Sequence, residues 1–337
     1  MTKPGPRNLI SDVDGIAVGN AHNDKARSGV TVVLPETRMV AAVDVRGGGP
    51  GTRETDALEP HNLVEAIDAI VLSGGSVYGL DAAGAVTNWL GAQGRGFSMA
   101  GELASPIVPS AILFDLTNGG DKSWGEEPPY RTLGRSAAES AAREFDLGNS
   151  GAGFGAQAGA YKGGLGSASA ATEEGFQVGA LVAVNPFGSP VMPSTDALWA
   201  FPFEQAGEFG GRRPATDLKS VAMDFPTDTK IGAAPGTNTT IGVVATNAAL
   251  TPAEAKRLAM MAQDGYARSI RPIHTLFDGD TVFALATGAK EVPEPRALFI
   301  SRLGQIAADC MARAVGRGVY ESETLGEARS YRQVFGI

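Results

Sequence analysis

Ala234-Pro-Gly-Thr-Asn-Thr-Thr-Ile-Gly-Val-Val-Ala-Thr246 joins a turn-rich stretch to a run of β-branched and apolar residues. Thr239–Thr246 reads as a strand covered on both faces, because its apolar residues run on without the polar alternation of a half-exposed strand. A little further on, Thr251-Pro-Ala-Glu254 signs the start of a helix running to Ser269: Thr251 and Glu254 have capping-box spacing, and Pro252 takes the first helical position. Similar apolar runs lie at Thr31–Leu34, Val40–Val45, Ala69–Leu72, Leu181–Val184 and Thr281–Thr287. Helix-like segments lie at Gly79–Leu90, Leu133–Phe145 and Leu298–Val315. Interleaved strands and helices predict a layered α/β domain.

The 337 residues suffice for a buried core and show no internal repeat. A single cysteine, Cys310, cannot form an internal disulfide, and no Cys/His spacing suggests a zinc site or any other metal or cofactor. The first residues, MTKPGPRNLISDVDG, lack the apolar core of an export signal, and no later run is long enough to span a membrane. A soluble cytoplasmic protein is expected. With a net charge of −9 the overall field repels a phosphate backbone, so nucleic acid is not an expected partner, and without a spanning run neither is a membrane. The 45 glycines cluster in GGGPG, SGGS, NGG, SGAGFG and YKGGLG, which read as tight loops where backbone approaches backbone or ligand. Phe201–Gly236, rich in Gly, Pro, Arg and Asp, reads as a surface excursion. The Asn238–Thr239 bond would then lie where an exposed loop enters a buried strand.

Three histidines, His22, His61 and His274, leave few bases for a serine or cysteine triad, and no nucleophile-elbow pattern surrounds Ser73 or Ser76. A hydroxyl can instead be activated by its own α-amino group when it is the first residue of a chain, since that amine titrates near neutrality. Such a design requires a cleavage, a hydroxyl residue at a strand start, an oxyanion donor and charges that tune the amine.

Three stretches of the sequence follow one another in order. They are Val45-Arg-Gly-Gly-Gly-Pro-Gly-Thr-Arg-Glu-Thr-Asp56 with Ala69-Ile-Val-Leu-Ser-Gly-Gly-Ser-Val-Tyr-Gly-Leu-Asp-Ala-Ala83; Gly151-Ala-Gly through Lys162-Gly-Gly-Leu-Gly to Val184-Asn-Pro-Phe-Gly188; and Asn238-Thr-Thr-Ile-Gly-Val-Val-Ala-Thr-Asn247 with Ile273-His-Thr-Leu-Phe-Asp-Gly-Asp-Thr-Val-Phe283. Together they resemble the autoprocessing L-aminopeptidase/D-amidase-D-esterase family of the DmpA type, and most nearly its nylon-oligomer (6-aminohexanoate-oligomer) hydrolases. The resemblance covers nearly the whole chain. It implies a four-layer αββα sandwich of the N-terminal-nucleophile-hydrolase kind, one domain cleaved into an α-chain of residues 1–238 and a β-chain of residues 239–337, and a homo-oligomer, often a tetramer. Thr239 matches the nucleophile, Asn185 the oxyanion donor, Lys162 a catalytic lysine, Asp278 and Asp280 a pair that anchors the nucleophile's surroundings and would fix Lys162, and Tyr130 an active-site tyrosine. Ser76 and Tyr78 are read as lining the substrate site. No cofactor is implied. Substrates would be short amides with a free amine end: small peptides, amino-acid amides or ω-amino-acid oligomers.

Each of these residues also has an ordinary reading. Thr239 is a common strand residue, Asn185 before Pro186 can end a strand by an Asx turn, and Asp278-Gly-Asp280 is a familiar turn former. Lys162 is by default a solvated lysine, and Pro-Pro-Tyr130 a rigid surface turn. Ser73-Gly-Gly-Ser76 lacks the ending of a phosphate loop, so tight strand-to-helix packing accounts for it better. His274 reads as structural. Two rival functions stand beside hydrolysis: an acyltransferase of the ornithine acetyltransferase type using the same threonine, and a noncatalytic small-molecule-binding protein on a glycine-rich scaffold.

Overall fold

Val178, Ala180, Val182 and Val184 point to one face of their strand, Leu181 and Ala183 to the other, and both faces are buried. A strand of this kind needs cover on two sides, and the architecture supplies it. In the computed structural model, residues 2–98, 101, 103–218, 224, 227–230 and 238–337 are described. Their strands in chain order are β1 Thr2–Lys3, β2 Ile16–Asn23, β3 Ser28–Pro35, β4 Met39–Val45, β5 Thr52–Arg53, β6 Ala66–Ile67 and β7 Ile70–Ser73. There follow β8 Ser110–Ile112, β9 Gln157–Ala158, β10 Tyr161–Lys162, β11 Gly164–Thr172, β12 Gln177–Asn185, β13 Thr239–Ala248 and β14 Thr281–Lys290. The α-helices are α1 Asp81–Gly91, α2 Tyr130–Glu139, α3 Pro252–Ser269, α4 Arg296–Tyr320 and α5 Tyr331–Phe335.

A seven-stranded sheet runs β1-β11-β12-β13-β14-β4-β6, and a five-stranded sheet runs β2-β3-β7-β8-β5. Three apolar layers separate four structural ones. Helices α3 and α4 cover the outer face of the larger sheet, burying Leu258, Tyr266, Leu303 and Met311 against Val182, Val244 and Val282. The two sheets face each other through Val33, Ile70 and Leu72 on one side and Leu181, Ile241, Val243 and Phe283 on the other. Helices α1 and α2 close the smaller sheet with Val86, Tyr130 and Leu133 over Val30, Val32 and Val71. This is the four-layer αββα sandwich expected.

The capping box of Thr251 and Glu254 forms as read, with Glu254 N–H donating to Thr251 Oγ1 at 3.3 Å and Thr251 N–H to the Glu254 carboxylate at 2.8 Å. Two elements differ from expectation. Helix α2 begins at Tyr130 and ends at Glu139, so Ala142 instead bridges to Val18 of β2. Gly164–Thr172, which begins inside the YKGGLG cluster read as a tight loop, is a buried strand. Its small residues let α4 lie directly on it: a Cβ on Gly166 would stand 1.9 Å from the Ala314 carbonyl oxygen. No helix among the described residues is long and apolar enough to cross a membrane.

Candidate active site

Alternation along β13 sends Thr239 to the same side as Ile241 and Val243, the layer between the sheets. On the neighbouring antiparallel strand, Asn185 pairs directly with Thr239. Both lie where the inter-sheet core ends, and both are buried. The Thr239 hydroxyl contacts the carbonyl oxygen of Asn238, and Gly279 N–H donates to that same oxygen at 3.1 Å. Asn238 is itself fully buried. That corrects the expectation of a bond at an exposed loop mouth: residues 231–237 of the excursion lie outside the described residues, but the Asn238–Thr239 bond lies inside the fold.

The Asp278-Gly-Asp280 turn is both a turn and a scaffold. Asp280 accepts Thr240 N–H at 2.8 Å on one oxygen and, on the other, His274 N–H at 3.0 Å, with the His274 Nδ1 at 2.8 Å. Asp278 accepts Phe187 N–H at 2.9 Å and the Thr275 hydroxyl at 2.6 Å. Burial and then the Asp280 charge push the Asp278 carboxyl above its ordinary range. Over this turn lies the glycine run of the first motif: Arg46 N–H donates to Asp280 O at 2.9 Å and Gly49 N–H to Asp278 O at 2.7 Å. A Cβ on Gly47 would meet Asp280 N at 2.3 Å, so only glycine permits the approach.

The Asn185 amide has one orientation. Its side-chain oxygen accepts Gln157 N–H at 2.9 Å, while its NH2 donates to Phe114 O at 3.1 Å. A backbone donor at one end and a backbone acceptor at the other exclude the flipped amide.

Lys162 and Tyr130 belong to an adjoining cluster around Asp115. Lys162 is buried and donates to Gly163 O at 2.7 Å and Gly153 O at 3.1 Å; burial draws its pKa down to about 7 against the opposing pull of Asp115. Asp115 accepts Gly75 N–H at 2.8 Å, and burial pushes its carboxyl up to about 6 although Ser28, Gly75 and Lys122 favour its charge. The Tyr130 hydroxyl donates to Ser28 at 3.1 Å and is driven above its usual range by burial and by Asp115. Tyr130 is the first residue of α2 and fully buried, not part of a surface turn. The carboxylate acting on Lys162 is thus Asp115, not the Asp278/Asp280 pair expected to fix it. Asp278 acts on a different lysine, Lys230, which sequence reading did not single out. Ser76 and Tyr78 sit in the short 3-10 turn after β7, on the Tyr130 side, where Tyr78 packs edge-on to Trp124 and Trp124 edge-on to Tyr130.

Asp115 sits in an unremarkable Phe-Asp-Leu, and Lys230 lies in the excursion where no periodicity predicts burial, so neither carried a signal. Phe114 O joins the two clusters through Asn185. A cavity of 400 Å³ opens beside them, lined by Arg27, Asn118, Gly155, Gln157, Lys162 and Glu327 among others.

The αββα sandwich thus places a buried threonine at a strand head, an amide opposite it and two carboxylates behind it. The model of Peptidase family S58 matches residues 8–332, and the chain belongs to that family. It is 45% identical over 345 residues to an uncharacterized aminopeptidase of Mycobacterium bovis, covering 97% of this chain and 98% of that one. It is 30% identical over 327 residues to the 6-aminohexanoate-oligomer endohydrolase of a Kocuria species, covering 92% and 86%. Among solved structures, the L-aminopeptidase D-Ala-esterase/amidase of Ochrobactrum anthropi superimposes with a TM-score of 0.70 at 21% identity over 99% of this chain and 94% of that one. It is described as a variant of the Ntn hydrolase fold. The chain is a hydrolase of peptide or amide bonds, and the noncatalytic reading is set aside.

Proposed function

We propose that this protein cuts its own Asn238–Thr239 bond and then uses Thr239 as the nucleophile against short amides that carry a free amine. One observation carries the reading: the Thr239 hydroxyl touches the carbonyl of the residue before it, and that carbonyl oxygen already receives the Gly279 N–H.

Self-cleavage begins with attack of Thr239 Oγ on the Asn238 carbonyl carbon. The C–N bond breaks, the hydroxyl proton passes to the departing amine, and an ester joins Asn238 to Thr239 Oγ. Charge developing on the Asn238 oxygen falls where Gly279 N–H already points. Water then splits the ester, leaving Asn238 as a carboxylate and Thr239 with a free amine. In the mature site that amine, in its neutral form, takes the Oγ proton as Oγ attacks a substrate carbonyl. Asn185, fixed on the paired strand, supplies the side-chain NH2 for the substrate oxyanion. Asp280 holds β13 through Thr240 N–H and so fixes where Oγ stands.

The neighbouring cavity supports a small substrate, since its 400 Å³ suits a short linear amide and it reaches Gln157 and Lys162, next to Asn185. The names of the relatives, an aminopeptidase and an oligomer endohydrolase, support amide substrates ending in an amine. Homo-oligomers of processed pairs form part of the same reading. Purified protein should release amine from a panel of α- and β-amino-acid amides and linear aminohexanoate oligomers, and Thr239→Ala should not. Equal release by both would overturn the reading.

A further inference from the structure

Lys230 is the last described residue before the segment leading into Asn238, and it is half-buried with its ammonium group against Asn185. Its Nζ donates to the Asn185 side-chain oxygen at 3.1 Å and lies 3.4 Å from the Asn185 carbonyl oxygen. Asp278 is the carboxylate that attracts it. The backbone here is held independently of the scissile bond: Lys230 N–H donates to Phe187 O at 3.0 Å, Ala160 N–H donates to Asp228 O at 2.7 Å, and the Ser189 hydroxyl donates to the Asp228 carboxylate. These contacts survive a cut at 238–239, so Lys230 remains in place on the α-chain side after processing.

We propose that Lys230 is a positioning residue for the Thr239 site: its Nζ holds the Asn185 side-chain oxygen so that the NH2 stays presented to a substrate carbonyl. Gln157 N–H binds the same oxygen at 2.9 Å and Phe114 O takes one hydrogen of the NH2 at 3.1 Å, so Lys230 completes the contacts that fix the amide and leave its second NH2 hydrogen for the substrate.

The inference rests on Thr239 being the nucleophile, and its test separates the two. Lys230→Met and Lys230→Gln are compared with wild type and Thr239→Ala by intact mass, kcat and KM on an amino-acid anilide. Lys230→Met should lower kcat by about tenfold with KM little changed, as partial loss of an oxyanion donor would. Lys230→Gln keeps a donor without charge, so it should recover much of kcat. An unchanged kcat in Lys230→Met overturns the proposal, and so does a loss that Lys230→Gln shares in full, because a side chain that merely fills space is not rescued by a donor. Should Lys230→Met fail to fold, a Lys230→Gln with kcat about tenfold down still overturns the proposal and one near wild type supports it. Wild type that is uncleaved and indistinguishable from Thr239→Ala refutes the nucleophile; cleaved wild type with unchanged kcat in Lys230→Met refutes only the role of Lys230.

Discussion

Asn185 stands directly opposite Thr239 across the β12–β13 ladder, so the donor and the hydroxyl are set by strand register and not by loop conformation. A slip of β13 by one residue would turn Thr239 to the helix-covered face and leave Asn185 without it. In the proposed reaction two donors serve two carbonyls, Gly279 N–H the chain's own and Asn185 a substrate's. Asn185→Ala should therefore lower kcat for amide hydrolysis by about a hundredfold or more, as loss of an oxyanion donor does elsewhere. Self-cleavage should slow much less, which a time course of chain splitting beside steady-state kinetics will show.

Gly279 has no room for a side chain. A Cβ there would stand 2.7 Å from Thr239 Oγ1 and 2.8 Å from the Gly49 carbonyl oxygen. Gly279→Ala should displace the hydroxyl and retard processing by about tenfold or more, at a stability cost of roughly 1–3 kcal/mol. Denaturant melts of uncleaved Thr239→Ala with and without Gly279→Ala isolate the stability term from the chemistry.

Asp115 gives the fold a pH signature. Burial raises its carboxyl from its ordinary value of 3.8 to about 6, so the folded state binds its proton more tightly than the unfolded chain. Its contribution is fully present below the unfolded value and is lost as pH rises through about 6. The swing is about 3 kcal/mol at 1.36 kcal/mol per pH unit. Asp115→Asn lacks this loss, so its Tm relative to wild type should climb between pH 4 and 6.5. A constant difference across that range would show that Asp115 is not the titrating group.

Sequence made legible what periodicity and caps encode, and less of what depends on distant chain segments. β13, α3 and the Thr251 cap follow from local pattern, as does the glycine run around Gly47 as a place of close approach. β11 was hidden because Gly164, Gly166 and the serines and alanines beside them have poor strand propensity; they were needed for contact with α4, which lies far along the chain. Motif order pointed to Thr239, Asn185, Asp278 and Asp280, which the fold brings together. Motifs could not assign partners, so Lys162 was matched to the wrong carboxylates. Asp115 and Lys230 carry no local signal, because only their contacts with distant segments set them apart.

Intact mass of freshly purified protein tests the central claim most directly. Two polypeptides, residues 1–238 and 239–337, from wild type and from Thr239→Ser, with a single full-length species from Thr239→Ala, is the result expected. A full-length wild-type chain, or a break at any other bond, would contradict it.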